Sequence, residues 1–387
     1  MSESEPESTD PQDGREPLRS VHTSNLPEIL DHFGISLMVS TYQAGRLVML
    51  RAQHGVLNTH FRSFDKPMGL AVADNRLAVG AATSIWEFHN LPAVCQKLDA
   101  EKEDRPAVTE KHDACFLPRT THWTGDVQIH EMAWVGRGNE AELWFVNTRF
   151  SCLCRRSNIY CFEPVWRPPF VTSYVPGDCC HLNGLGLRDG RPRYVTALGK
   201  NDQPAGWREN KRDGGIVIDL ESDETIAEGL SMPHSPRWYN DRLWVLESGT
   251  GGFGFVDLQS GKYESIASLA GFTRGLTFVG PLAFIGLSQV RESAVFGGVP
   301  IAQRALEQRT CGVWVVNIES GETVGFVKFE DAVQEIFAVE IVDSRYPELV
   351  NEDRELLAGS FELPDDALAE VPAELRTDPS ATTNQKL

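Results

Sequence analysis

The stretch PRWYNDRLWVLESGTGGFGFVDLQSGKYESIASL, residues 236–269, holds four short apolar runs separated by turn residues. PRWY enters an Asn-Asp turn, RLWVLE follows it, GFGFVDL comes next, and KYESIASL closes the unit. Short runs rich in aromatic and β-branched residues, bounded by Gly, Asn and Asp, read as strands. The DLQSGK turn is hairpin chemistry between the third and the fourth. The same order recurs at 275–330 (GLTFVG, LAFIGLS, GVWVVNIESG, TVGFVKFE) and at 184–230 (GLGLRDG, RYVTALG, GGIVIDLES, ETIAEGL). It recurs with longer loops at 132–175 (MAWVGRG, ELWFVNTR, SCLCRRS, FVTSYV) and starts again at 69–90.

Four antiparallel strands repeated every ~40–60 residues are the unit of a β-propeller. Counting sets its size. SLMVSTY, RLVMLRA and LNTHFRSF near the N-terminus are three strands without a first, and EIFAVEIVD (335–343) is a first strand without followers. Together they complete one blade, which predicts an all-β, six-bladed β-propeller closed by pairing the N- and C-terminal segments. Closure removes sheet edges that would otherwise pair with other chains. Splitting 91–130 into a blade of its own would give seven.

The chain has 387 residues, 41% of them hydrophobic, enough for one large core. With 55 acidic against 36 basic residues the formal charge is −19, which opposes nucleic acid and anionic lipid as partners. No apolar run approaches the ~20 residues of a membrane span. The opening MSESEPESTDPQDGREP lacks a basic and an apolar region, so it is no secretory signal and a cytoplasmic location is expected. Residues 1–24 and 366–387 have the composition of disordered tails flanking a propeller at 25–365. A short helix is expected at 25–34, with Leu26, Ile29, Leu30 and Phe33 on one face. The eight cysteines read as reduced thiols. Cys152, Cys154 and Cys161 are expected to pack in a strand-like run, whereas Cys179 and Cys180 adjoin His181. Trp86, Trp134, Trp144, Trp244 and Trp314 fall within strands and are expected in the core.

A histidine recurs ahead of the first strand of several units: HEMAWV (130–135), HLNGLGL (181–187), HSPRWY (234–239). First strands line a propeller's channel. Aligned on their apolar cores, the positions two residues before read Met68, His130, Asn183, His234, Arg274 and Glu335. His181 lies two residues before Asn183, hence on the same side of its strand. The recurrence is blade periodicity, and these side chains share one mouth. The loops on that face are polar and long, notably 199–215 and 288–310.

Three imidazoles and a carboxylate around a channel are a donor set for Zn²⁺, Mn²⁺ or Fe²⁺, with His130, His181 and His234 as ligands. Glu335 is a candidate fourth ligand or general base. Arg274 is a candidate for holding a carboxylate or an oxyanion. Asp126, in the segment 111–131 ahead of HEMAWV, is a candidate for orienting His130. Asn183, Arg237, Arg149, Gln43 and Glu247 are the substrate-binding candidates. The plain alternative is a water-filled channel whose histidines bond to each other and to water.

At TYQAGRLV, HDACFLPR with TGD and HEMAW, NTRFSCL, HLNGLGL and PHSPRW the chain resembles a bacterial family of propeller-like proteins, some joined to tetratricopeptide repeats. The resemblance spans about 25–364, and this chain has no repeat region after it. The six-blade layout with an axial metal is more distantly similar to gluconolactonase-type hydrolases and to peptidyl-hydroxyglycine lyases. The former rely mainly on carboxylate and amide ligands and the latter on histidines. Residues and resemblance together lead to the expectation of a metal-dependent lyase or hydrolase acting on a small polar, anionic substrate. The alternatives are a non-catalytic propeller holding a peptide or partner protein, and an oxidoreductase with a redox metal.

Overall fold

The computed structural model describes residues 18–100, 110–290 and 297–377. The unit at 236–269 is one complete blade, Pro233–Tyr239, Arg242–Glu247, Gly252–Val256 and Tyr263–Ser268, each strand antiparallel to the next. Here it is blade 4. Blade 1 comprises Leu70–Ala73, Arg76–Gly80, Ser84–Asn90 and Ala114–Trp123. Blade 2 comprises Ile129–Val135, Glu142–Asn147, Cys152–Arg155 and Glu163–Trp166. Blade 3 comprises Leu182–Arg188, Arg191–Ala197, Gly215–Asp219 and Thr225–Leu230. Blade 5 comprises Phe272–Val279, Leu282–Ser288, Cys311–Asn317 and Thr323–Phe329.

Blade 6 takes its inner strand, Ala338–Val342, from the C-terminal part of the chain and its other three, Ser36–Ser40, Arg46–Gln53 and Val56–Ser63, from the N-terminal part. The junction is an unbroken antiparallel ladder from Ser36 opposite Val342 to Ser40 opposite Ala338. The six inner strands touch their neighbours all the way round, including blade 6 against blade 1. The expected six-bladed propeller and its mode of closure are therefore what the chain adopts.

The inner strands approach closely, which explains their small residues. A side chain at Gly69 would collide with the His130 carbonyl, and one at Gly184 with Thr196 and Pro236 of the next blade. Adjacent blades are also tied by a recurring hydroxyl. Ser40 and Ser288 end the second strand of a blade, Thr148 and Ser248 directly follow one, and each donates to a carbonyl in the next blade: Met68 for Ser40, Ile336 for Ser288, Leu182 for Thr148 and Thr273 for Ser248. Between blades the core is continuous. Trp134 and Trp244 are buried in it, while Trp86, Trp144 and Trp314 are partly buried against it. The helix Leu26–Phe33 packs Leu26 and Leu30 on blades 5 and 6 and ends at Gly34, whose φ of 67° is easy for glycine alone.

Three details depart from expectation. The unit that starts at 69–90 takes its fourth strand from inside the segment 111–131, where Ala114–Trp123 forms the outer strand of blade 1. It also carries a parallel fifth strand, Pro347–Leu349. The outer strand of blade 2 is Glu163–Trp166 rather than 170–175, and Pro168 and Pro169 follow it, where the ladder cannot continue. The N-terminal tail was expected to run to residue 24, yet Ser20–His22 adds a fifth strand to blade 5 and Arg19 pairs with Asp331 at 2.6 Å. Residues 1–17 and 378–387 of the two expected tails lie outside the described residues. Residues Asp365–Glu370, where the expected propeller ends and the C-terminal tail begins, form a short exposed helix.

Candidate functional site

His130 and His234 stand at the mouth ends of the inner strands of blades 2 and 4, and both are buried. Each Nδ1 lies 2.9 Å from the carbonyl oxygen two residues upstream, Gln128 in one case and Met232 in the other. Both upstream residues are in the left-handed region, with φ of 52° and 48°. That conformation is strained for non-glycine residues and turns the carbonyl back onto the ring. Each Nδ1 also meets the inter-blade hydroxyl, Thr148 at 2.8 Å or Ser248 at 3.0 Å.

These partners fix the tautomer. A carbonyl can only accept, so Nδ1 carries the proton. The hydroxyl proton is already committed to Leu182 or Thr273, so the hydroxyl accepts as well. The Nε2 lone pair is left over, and no described residue bonds to it. Burial, and after it the nearby Arg274 charge, hold both imidazoles well below their usual range, so they are neutral at pH 7.

His181 completes the group. Its ring is edge-on to that of His130, centroids 5.0 Å apart, and packs on Trp207 at 4.5 Å. Its Nδ1 is held at 2.8 Å by Asp178 Oδ2, which also accepts from Trp207 Nε1 at 3.1 Å. His181 and Asp178 both have φ of 49°. The DCCH stretch is thus a tight turn that brings carboxylate and imidazole together. Trp207 arrives from the long 199–215 loop.

Arg274 faces these rings from blade 5. Its guanidinium lies 3.4 Å above the Phe337 ring, and Phe337 is 5.0 Å from His130. Nη1 is 3.8 Å from Glu335, beyond hydrogen-bond reach, and Nη2 is buried without a partner. Burial pulls the guanidinium down to about 10, against the opposing pull of Glu335, Glu131 and Tyr42. The Glu335 carboxyl is pushed up by burial and pulled back by Arg274. Asn183 is buried with Oδ1 accepting from Thr196 and Nδ2 unpartnered.

One layer deeper, Arg237 bridges blades 2 and 6. It donates to Glu131 at 3.0 Å and to Glu340 at 3.3 Å. Burial pushes the Glu340 carboxyl up to about 7 despite that contact. Arg237 was expected to bind substrate at the mouth. It lies three residues beyond His234 along the strand and is committed to this tie across the floor. The mouth is therefore a cup, with imidazoles and Arg274 on its wall and an ion triad beneath.

The remaining candidates sit apart. Asp126 pairs with Arg149 and does not orient His130, whose Nδ1 is taken by Gln128 and Thr148. Gln43 is exposed on a short turn, and its neighbour Tyr42 is the residue that faces Arg274. Glu247 braces its own loop, accepting from Ser231 N and Thr250 Oγ1. All eight cysteines are unpaired. Cys161 is exposed rather than packed, and burial pushes the Cys180 thiol up to about 12, away from thiolate chemistry. Two surface clefts also occur. One of about 380 Å³ is lined by Trp207, Lys200 and Asn210, and one of about 690 Å³ by residues such as Phe170, Ile218 and Glu228. The buried polar atoms of Arg274 and Asn183 that lack partners are at the axis, and they mark the site more strongly than cleft size.

As a metal centre the group has suitable donors, because all three Nδ1 positions are anchored and the three Nε2 atoms are left for an ion. Among the described residues, however, no cluster of three or more His, Cys, Asp or Glu side chains is arranged to hold an ion.

Sequence comparison adds the family. Residues 24–350 match the family described as a domain of unknown function, DUF4915. The chain belongs to that family. The match covers the whole ring, from the helix to the fifth strand of blade 1. No curated protein matches. Among solved structures, a chain of a nidogen/laminin complex is similar with a TM-score of 0.50 at 10% identity, over 80% of this chain and 100% of that one. A protein of unknown function from Bacteroides caccae is similar with a TM-score of 0.46 at 9% identity, over 80% and 99% of the two chains. The first of these likenesses concerns the propeller fold alone. Among the described residues no helix is long and apolar enough to cross a membrane.

Proposed function

We propose that this DUF4915 propeller binds a small anionic molecule in the cup at its channel mouth and acts on it by proton transfer, as a hydrolase or lyase. The observation that carries the reading is Arg274, a buried guanidinium with one face on Phe337 and Nη2 without a partner. A buried donor of this kind costs free energy until an acceptor arrives, and a carboxylate is the acceptor that fits its fork. His181, whose Nδ1 is held by Asp178, is the group placed to move a proton, with Nε2 left for the reacting atom. Titration calorimetry with small carboxylates tests the binding step. Saturable binding that Arg274→Met weakens at least tenfold is expected. Equal affinity in the variant, with its fold intact by circular dichroism, contradicts the reading.

A second reading has an observation of its own. Anchoring of three Nδ1 atoms is how proteins prepare metal-binding imidazoles. His130, His181 and His234 would then hold a divalent ion through Nε2, and the ion would supply Lewis acidity or an activated water. Arg274 opposes this reading, since its charge bears on both buried histidines. Metal analysis of tag-free protein decides between them: one equivalent of metal, lost in His181→Ala, supports the second.

A further inference from the structure

The cup's donors and acceptors are sorted by type, and the sorting specifies a ligand. His130 and His234 are buried with Nδ1–H committed to a carbonyl and a hydroxyl, so each offers a lone pair at Nε2. Whatever meets them must donate a hydrogen bond. Arg274 Nη2 and Asn183 Nδ2 are buried, unpartnered and can only donate. Whatever meets them must accept. Phe337 against Arg274 and Phe272 against His234 at 5.4 Å are the apolar walls, and the carboxyl groups of Glu335 and Asp178 lie beside Arg274 and His181.

We infer that the ligand is a small hydroxy acid, with its carboxylate on Arg274 and its hydroxyl groups donating to the Nε2 atoms of His130 and His234. The inference rests on the anion-site reading above and narrows it. A plain carboxylate would leave both Nε2 atoms facing an apolar group. A plain polyol would leave the guanidinium unpaired. An anion without protons, such as inorganic sulfate, would set lone pair against lone pair at the imidazoles. A ligand that carries both kinds of group satisfies Arg274 and the two Nε2 atoms together, and buried polar atoms left unsatisfied cost binding steeply.

Calorimetry with four matched probes tests this, first on the wild-type protein: glycerate, lactate, propionate and glycerol at pH 7.5. Glycerate should bind at least tenfold more tightly than propionate and glycerol, with lactate between. His234→Phe, which keeps the ring and removes the lone pair, should bring glycerate down to the lactate level or below. Propionate binding as tightly as glycerate, with both lost in Arg274→Met, would overturn the hydroxy-acid assignment and leave the anion site standing. Failure of every carboxylate to bind would overturn both.

Discussion

His130 and His234 stand two blades apart and are held by the same pair of bonds: Nδ1 to the carbonyl of a left-handed residue two positions upstream, and Nδ1 to a hydroxyl that ties the blade to its neighbour. The hydroxyl serves both stability and the site. It locks adjacent blades and at the same time decides which imidazole nitrogen faces the mouth. The inter-blade contact that builds the ring therefore also sets the chemistry of the cup.

Acid should destabilise the fold through these two rings. Their folded pKa values lie below the unfolded value of about 6.5, so the unfolded chain binds more protons under acid conditions. Their contribution is complete above about pH 6.5 and is lost below it, by about 1.4 kcal/mol per pH unit for each histidine. The groups facing them are Arg274 and His181, with Phe337, Phe272, Thr148 and Ser248. Urea unfolding of wild type and of His130→Gln/His234→Gln between pH 7.5 and 5.5 should show a shallower pH slope in the variant. Parallel slopes would mean that the rings are not buried neutral.

The inter-blade hydroxyl at the closing blade should matter most among the four. Ser40 Oγ donates to the Met68 carbonyl and accepts from Ala338 N, so one oxygen joins blade 6, blade 1 and the C-terminal strand. Ser40→Ala should cost about 1–3 kcal/mol, because it leaves buried backbone groups unpaired. Chemical denaturation measures it, and Ser63→Ala, at an exposed site on the same blade, is the control.

Glu348 pins the fifth strand of blade 1 across to blade 6. It lies 2.7 Å from Arg62, 3.3 Å from His60, 3.7 Å from His112 and 3.8 Å from Arg51. Burial alone would raise its pKa. The His60 contact and the charges of Arg62 and Arg51 outweigh burial and bring it to about 2. The depressed value contributes stability above about pH 4.5 that is lost as pH falls towards 2. Glu348→Gln should therefore lose about 3 kcal/mol at pH 7 and much less at pH 3. An equal loss at both pH values would show that the carboxylate charge is not what holds the strand.

Truncation separates closure from tail. A chain ending at residue 334 lacks the inner strand of blade 6 and should fail to unfold cooperatively, because Ser36–Ser40 is then an open edge. A chain ending at residue 363 keeps the contacts of Glu362 with Arg119 and His89 and loses, among the described residues, a segment that is almost wholly exposed, so its Tm should match that of the full chain. Cooperative unfolding of the chain ending at 334 would contradict the closure.

The blades are legible in the sequence because Gly, Asn and Asp punctuate each unit at the same places, and the incomplete units at the two ends add up to one. The outer strand of blade 2 is not, because Glu163–Trp166 is short and carries a proline, so its apolar signal is weaker than that of the loop after it. At the site, strand periodicity brings His130, His181, His234 and Arg274 to one mouth. It does not find their partners. The carbonyls of Gln128 and Met232 reach the rings only through a left-handed backbone, and Thr148 and Ser248 come from the adjacent strand. Asp178 has a visible signal, a carboxylate three residues before His181 in a tight DCCH turn. Arg237 is near His234 in sequence, which suggests a shared role at the mouth, whereas the charges that claim it, Glu131 and Glu340, come from two other blades. Tyr42 and Phe337 sit close to the candidates Gln43 and Glu335, but they are aromatic, and a search for acidic and basic side chains passes over them.

A crystal structure of the protein soaked with glycerate tests the hydroxy-acid site most directly. The expected result is the carboxylate on Arg274 and hydroxyl oxygens within hydrogen-bond distance of Nε2 of His130 and His234, while each Nδ1 keeps its carbonyl. An empty cup, with glycerate found only in the cleft beside Trp207 and Lys200, would contradict it.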